Sequence, residues 1–295
     1  MAVNVPINEL IRCNNLPFRL PIKLRNILDG FKWACREKNT SVVMIIDGKS
    51  GRGKTTFSGQ IAAYCDADYM DKSKVLRKIH WNPETFLNGA YDGNGNLIKV
   101  GLKQAQQGDV IIFDEAMLVS SRSSMSELNK VVVVAMSMIR SKRIIVIFNV
   151  NSFFDLDKNI SIFRSEILLH VYGESLTDRG KFLAFFQGED GEDRLKNLYI
   201  LGKKFYSYAK PQSNFNANFP SYSVFDWDEY EIQKQDGINK FLSSGTKGGT
   251  KSQNSRDCYI RWIKQNTQLT AQEIADIGHI SDETVYRATS DRRSS

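Results

Sequence analysis

The sequence predicts an α/β protein with a mainly parallel sheet, joined to a small all-α domain. Three observations carry this. The runs "SVVMIID" (41–47), "DVIIFDEA" (109–116) and "RIIVIFNV" (143–150) are short, apolar and β-branched, and read as buried strands. Helical stretches separate them, as parallel strands require. The composition then changes at "SSGTKGGTKSQNS" (243–255), which has no large apolar residue and reads as a flexible linker.

The elements follow in order. Residues 1–41 form an arm and a helix. In "PIKLRNILDGFKWACREK", Pro21 opens the helix and Leu24, Ile27, Leu28, Phe31 and Ala34 recur at spacings near three and four, over about 22–38; Gly30 works against it. The strand 41–47 leads into a glycine-rich loop and a helix from about Lys54 to Tyr64. A short strand is expected near Ile79–Trp81, then a helix with Asn82 as cap and Pro83 at its first position. "YDGNGNLIKV" reads as a turn into a surface strand. "SMSELNKVVVVAMSMIRSK" (124–142) reads as a helix, although its four valines favour strand. "EILLHVYG", "GKFLAFFQG" and "KNLYILGKKFYSYAK" are strand-like. The domains expected are thus 1–41, a core of 42–242, a linker of 243–255, and 256–295.

The chain of 295 residues suffices for one large domain, or a medium one with a small one. Its formal net charge of +7 favours polyanionic partners without establishing them. Cys13, Cys35, Cys65 and Cys258 are scattered, with no CxxC pair and only three histidines, which argues against zinc and for reduced thiols. No apolar run approaches the roughly 18 residues of a membrane span, and the start lacks a signal pattern, so a soluble intracellular protein without a membrane partner is expected.

Gly48-Lys49-Ser50-Gly51-Arg52-Gly53-Lys54-Thr55 fits GxxxxGK[ST] between a strand and a helix. In that context the loop amides, with Thr56 beyond them, form a nest for phosphate oxygens. Its glycines let the backbone wrap closely, and the helix N-terminus adds positive potential. Lys54 would reach the β- and γ-phosphates of ATP and Thr55 would ligate Mg2+. Asp114 ends a buried strand, at the edge where open α/β sheets bind ligands, and would hold the Mg2+. Glu115, next in the chain, would orient and deprotonate the attacking water. This Asp-Glu pair points to a hydrolase rather than a small-molecule kinase.

With these motifs and "RIIVIFNVN", the chain resembles the P-loop ATPases with an added strand and a catalytic glutamate, a clan that includes RecA-like, AAA+ and FtsK/HerA-type motors. The resemblance implies a polar sensor after the third strand, for which Asn149 and Asn151 are candidates; related sequences often carry proline at the position of Asn151. The stretch 139–173 resembles ATPases of phages, archaeal viruses and other mobile elements, of the Zot-like or helicase-like kind. That likeness rests on Arg140, on "FFDLD" and on Arg164 before "LLHVY". It implies a homo-oligomeric ring, of which a hexamer is one form, with an arginine entering the neighbour's site. Arg164, then Arg140, are the leading candidates, with Arg143 a third.

Residues 256–295 read as three short helices. Thr270 and Glu273 form a capping box, Gly278 sits in a turn, and Ser281 caps the next helix. Ile274, Ala275, Ile280 and Val285 would form a small core. The unit resembles the helix-turn-helix domains of resolvases and transposases. DNA contacts would fall to Thr284 and Arg287, with Lys264, Arg292 and Arg293 on phosphates. Asp282 and Glu283 depart from that pattern, and a protein-docking module stays open.

The implied function is Mg2+-dependent ATP hydrolysis coupled to DNA handling by a viral or mobile-element ring ATPase, in packaging, transfer or helicase-like translocation, in the host cytoplasm on DNA. It would work with viral, replication or transfer proteins. The alternatives are an ATP-switched assembly factor, such as a transposition regulator or helicase loader, and an ATP-sensing transcription regulator.

Overall fold

The structure is a computed structural model that describes residues 16–114, 139, 142–156, 158–175, 177–246, 270–273, 283 and 285. The chain divides into two compact units, 1–238 and 239–295.

In the first unit, helix α1 (Ile22–Glu37) precedes strand β1 (Val42–Asp47), whose six residues are all buried. Helix α2 (Lys54–Cys65) follows the glycine loop and is buried continuously from Phe57 to Cys65. A helix buried on every side belongs in the middle of a fold, and α2 packs against both α1 and the sheet. Strand β2 (Ile79–His80) leads to α3 (Pro83–Asn88), where Asn82 caps by accepting from the Glu84 amide. The pair β3 (Ala90–Tyr91) and β4 (Leu97–Lys99) is antiparallel around an Asp92 turn. Strands β5 (Val110–Asp114) and β6 (Ile145–Asn149) are fully buried. Helix α4 (Lys158–Phe163), strands β7 (Ile167–Tyr172) and β8 (Lys181–Phe186), helix α5 (Arg194–Gly202), strand β9 (Phe215–Asn218) and helix α6 (Trp227–Thr246) complete the order.

The main sheet runs β2-β5-β6-β1-β7-β8-β9. The pairs β2–β5, β5–β6, β6–β1 and β1–β7 are parallel; β7–β8 and β8–β9 are antiparallel. The mainly parallel α/β class is therefore present. Strand β6 lies between β1 and β5, and its register sets Asn149 beside both Ile46 and Asp114. Three polar strand ends, Asp47, Asp114 and Asn149, meet at one edge of the sheet.

One expectation is corrected. The strand-like run 196–210 instead contains α5, because the Asp193 side chain caps it by accepting from the Lys196 amide and Leu195, Leu198, Tyr199 and Gly202 bury one helical face. The helix expected over 124–142 lies outside the described residues except for Ile139, which is helical, and Lys142. Helix α6 runs through Thr246, four residues into the stretch read as linker.

Within the second unit, the capping box at Thr270 is formed: Glu273 Oε2 accepts from the Thr270 amide at 2.7 Å, and Thr270 Oγ1 accepts from the Glu273 amide at 3.3 Å. Val285 is buried. Among the described residues, no helix is long and apolar enough to cross a membrane.

Candidate functional site

The loop between β1 and α2 has the backbone a phosphate cradle needs. Gly48, Gly51 and Gly53 have φ of 136°, 75° and 97°, the half of dihedral space that glycine enters without penalty. At Gly48 a Cβ would lie 2.1 Å from the Val171 carbonyl oxygen, so the loop passes directly over β7. Asp47, fully buried, ties the start of the loop to three other segments. Its Oδ1 accepts from His170 Nδ1 at 2.8 Å, and its Oδ2 accepts from the Phe153 amide at 2.9 Å and from the Tyr208 hydroxyl.

Lys54 and Thr55 open α2. Lys54 Nζ donates to Gly48 O at 2.6 Å and to Asn151 Oδ1 at 3.1 Å, so the ammonium is folded back over the loop. Thr55 Oγ1 donates to Asp114 Oδ2 at 2.8 Å, joining residues 59 apart in sequence. Asn149 donates its Nδ2 to Ser58 Oγ at 2.9 Å, while its Oδ1 is buried with no hydrogen-bond partner. A buried acceptor left in this state carries a desolvation cost of about 1–3 kcal/mol unless a donor arrives.

These groups line a cleft of about 330 Å3, together with Ser50, Gly51, Gly53 and Thr56. The opposite wall is Arg179, from the β7–β8 connection, and the first turns of α6: Trp227, Tyr230, Glu231 and Lys234. Tyr230 is buried and donates its hydroxyl to Asp114 Oδ2 at 2.5 Å, while Trp81 Nε1 donates to that hydroxyl at 3.2 Å. Burial, then the Asp114 charge and the hydrogen bond to it, push the Tyr230 phenol well above its ordinary value, which keeps it a donor.

Of the residues singled out from sequence, Gly48, Ser50, Gly51, Gly53, Lys54, Thr55, Thr56, Asp114, Asn149 and Asn151 come together here. Lys49 is exposed and outside the cleft lining. Arg52 donates Nη1 to Asp178 O at 3.2 Å, so its guanidinium braces the β7–β8 connection, and it is not among the cleft-lining residues. Arg143 sits at the start of β6, at the far end of the strand, and donates to Asn39 Oδ1 at 2.6 Å. Arg164 is exposed after α4 and is not among the cleft-lining residues. Glu115, Arg140, Lys264, Thr284, Arg287, Arg292 and Arg293 lie outside the described residues.

Sequence reasoning missed Arg179, Trp227, Tyr230, Glu231 and Lys234. The one available signal is the helical spacing of 227, 230, 231 and 234, which puts four residues on one face.

The donor set fits a nucleotide phosphate with Mg2+. A left-handed glycine loop, a helix N-terminus and an ammonium suit phosphate oxygens. A hydroxyl and a carboxylate sharing a hydrogen bond are hard oxygen donors of the kind Mg2+ takes alongside waters, and the orphaned Asn149 oxygen can receive such a water.

No protein-family model matches the chain, and no curated protein matches it. Among solved structures it is similar to the N-terminal domain of zonular occludens toxin from Neisseria meningitidis, at 14% identity and TM-score 0.33 over 65% of this chain and 98% of that one. It is also similar to the FIGL-1 AAA domain, at 15% identity and TM-score 0.31 over 57% and 61% of the respective chains. A mutant of RuvB from Thermotoga maritima matches at 12% identity and TM-score 0.29 over 88% and 84%. At these scores the likenesses carry no weight for activity, which rests on the residues themselves.

Proposed function

We propose that this protein is a Mg2+-dependent ATP hydrolase that couples turnover to DNA handling, as a ring-forming motor of a virus or mobile element. The observation that carries the metal–nucleotide reading is the 2.8 Å hydrogen bond from Thr55 to Asp114, which unites the end of the phosphate loop with a strand-end acid; hydrolysis is read from Glu115, next in the sequence. Lys54 releases Gly48 O and Asn151 to meet the β- and γ-phosphates, neutralising charge that grows on the leaving oxygen. Thr55 and Asp114 hold the Mg2+, which when bound neutralises the phosphate oxygens. Glu115 takes the proton of the attacking water as the water oxygen bonds the γ-phosphorus and the bond to ADP breaks. Asn149 Oδ1 accepts a hydrogen bond from water in the cleft. Arg164, exposed and outside its own cleft, suits a group offered to a neighbouring copy.

The DNA coupling is supported by the net charge of +7 and by the capping box that opens a helix in the second unit. Phosphate release by wild type, Lys54→Ala and Glu115→Gln, each with and without duplex DNA, tests both parts. Wild type should turn over ATP and be stimulated by DNA. Lys54→Ala should be inactive, and Glu115→Gln should bind ATP yet hydrolyse it at least about 100-fold more slowly. Equal rates in wild type and Glu115→Gln would overturn the assigned base. Turnover unaffected by DNA would overturn the coupling and leave an ATP-switched factor.

A further inference from the structure

Helix α6 belongs to the far end of the first unit in sequence, yet its opening turns form a wall of the nucleotide cleft. Trp227, Tyr230, Glu231 and Lys234 recur at i, i+3, i+4 and i+7, one helical face, and all four line the cleft. The segment before the helix is fixed to α2 at several points. Phe219 stacks on Phe57 with ring centroids 4.2 Å apart, and Gln60 Nε2 donates to both Pro220 O and Tyr222 O at 2.7 Å. Phe225 stacks on Tyr230 at 5.1 Å, and Trp81 meets its edge at 5.2 Å. The Tyr230 hydroxyl therefore reaches Asp114 from a ring held on two sides.

Asp114 Oδ2 accepts from Tyr230 and from Thr55 together. Both donors converge on one carboxylate oxygen, which restricts how the carboxylate can turn. Lys234 lies one turn further along, its ammonium 5.5 Å from the Tyr230 ring centroid and 3.6 Å from Glu231 Oε1, and it lines the same cleft.

We propose that the face of α6 completes the nucleotide site: Tyr230 is a positioning residue that holds Asp114 for the metal, and Lys234 is a second ammonium for the nucleotide phosphates. This rests on the nucleotide-site reading above and adds residues to it. It also makes α6 a reporter of site occupancy, since metal and phosphate are held in part by its first two turns.

The test uses the full chain with Mg2+ and a non-hydrolysable ATP analogue. Analogue affinity, its Mg2+ midpoint, and hydrogen–deuterium exchange over 227–238 are read together. In wild type, Mg2+ and analogue together should slow exchange over 227–238. Tyr230→Phe removes one hydroxyl, and should raise the Mg2+ midpoint about tenfold, the usual scale for a group that orients a metal ligand, and lose the added protection. Lys234→Ala, at a part-exposed side chain that makes no hydrogen bond to Asp114, should weaken analogue binding about tenfold while leaving the Mg2+ midpoint in place. It tests the same wall if Tyr230→Phe does not fold. Wild type that binds no Mg2+-analogue overturns the nucleotide-site reading and this proposal with it. Wild type that binds normally, with folded variants matching it in midpoint, affinity and exchange, overturns the role of α6 alone.

Discussion

Gly48 and Gly51 sit in one loop and face different constraints. Both have positive φ, but a Cβ on Gly48 would meet the Val171 carbonyl at 2.1 Å, whereas nothing lies within 4 Å of one on Gly51. Gly51→Ala then costs only the left-handed backbone penalty, about 1–2 kcal/mol. Gly48→Ala adds a backbone collision and should cost roughly 3 kcal/mol or more. Urea midpoints of the two variants check this; equal losses would contradict the close passage over β7. The two glycines look alike in sequence because the obstacle at Gly48 belongs to a strand more than 100 residues away. The same reason separates legible from illegible site residues. Lys54 and Thr55 belong to a local motif, and Asp114 ends a conspicuous strand, so each could be read directly. Spacing puts Tyr230 and Lys234 on one helical face, but that this face meets the cleft is decided by tertiary packing, which the local sequence does not encode.

Strands β1, β5 and β6 were legible because each is a short apolar run closed by one polar residue, and a parallel sheet covered on both faces requires such apolar runs. Helix α5 was not, because "LYIL" is strand-like by itself and the Asp193 cap and helical burial decide it. Strand β9 carries "FNAN", too polar to stand out, and is held as an edge by pairing with β8. Strand β2 has a buried charge problem of its own. His80 is fully buried, with Nε2 2.9 Å from Val100 O, and burial, then the nearby Lys99 charge, push its pKa down to about 3. The unfolded chain takes up that proton near pH 6.5, while the native ring stays neutral. The stability due to a neutral His80 is therefore complete above pH 6.5 and is lost as pH falls from 6.5 toward 3, at up to about 1.4 kcal/mol per pH unit. Urea unfolding between pH 4 and 7 should show a shallower acid limb for His80→Gln than for wild type. Parallel limbs would contradict a neutral buried His80.

At the scale of the whole molecule, the sheet order puts β6 between the loop-bearing β1 and the acid-bearing β5, so the site spans three strand ends rather than two. Asn149, in the middle, contributes the one buried side-chain oxygen of the cleft left without a partner among the described residues. Helix α6 then closes the opposite side. Motif, register and closing helix converge on Asp114, which makes it the residue whose loss is most informative. The direct measurement is nucleotide affinity of the full chain, with and without Mg2+, for wild type and Asp114→Asn. Wild type should bind ATP about tenfold more tightly with Mg2+, and Asp114→Asn should keep the metal-free affinity while losing most of that gain. Affinity in wild type that ignores Mg2+, or an undiminished gain in Asp114→Asn, would contradict a metal–nucleotide site at the end of β5.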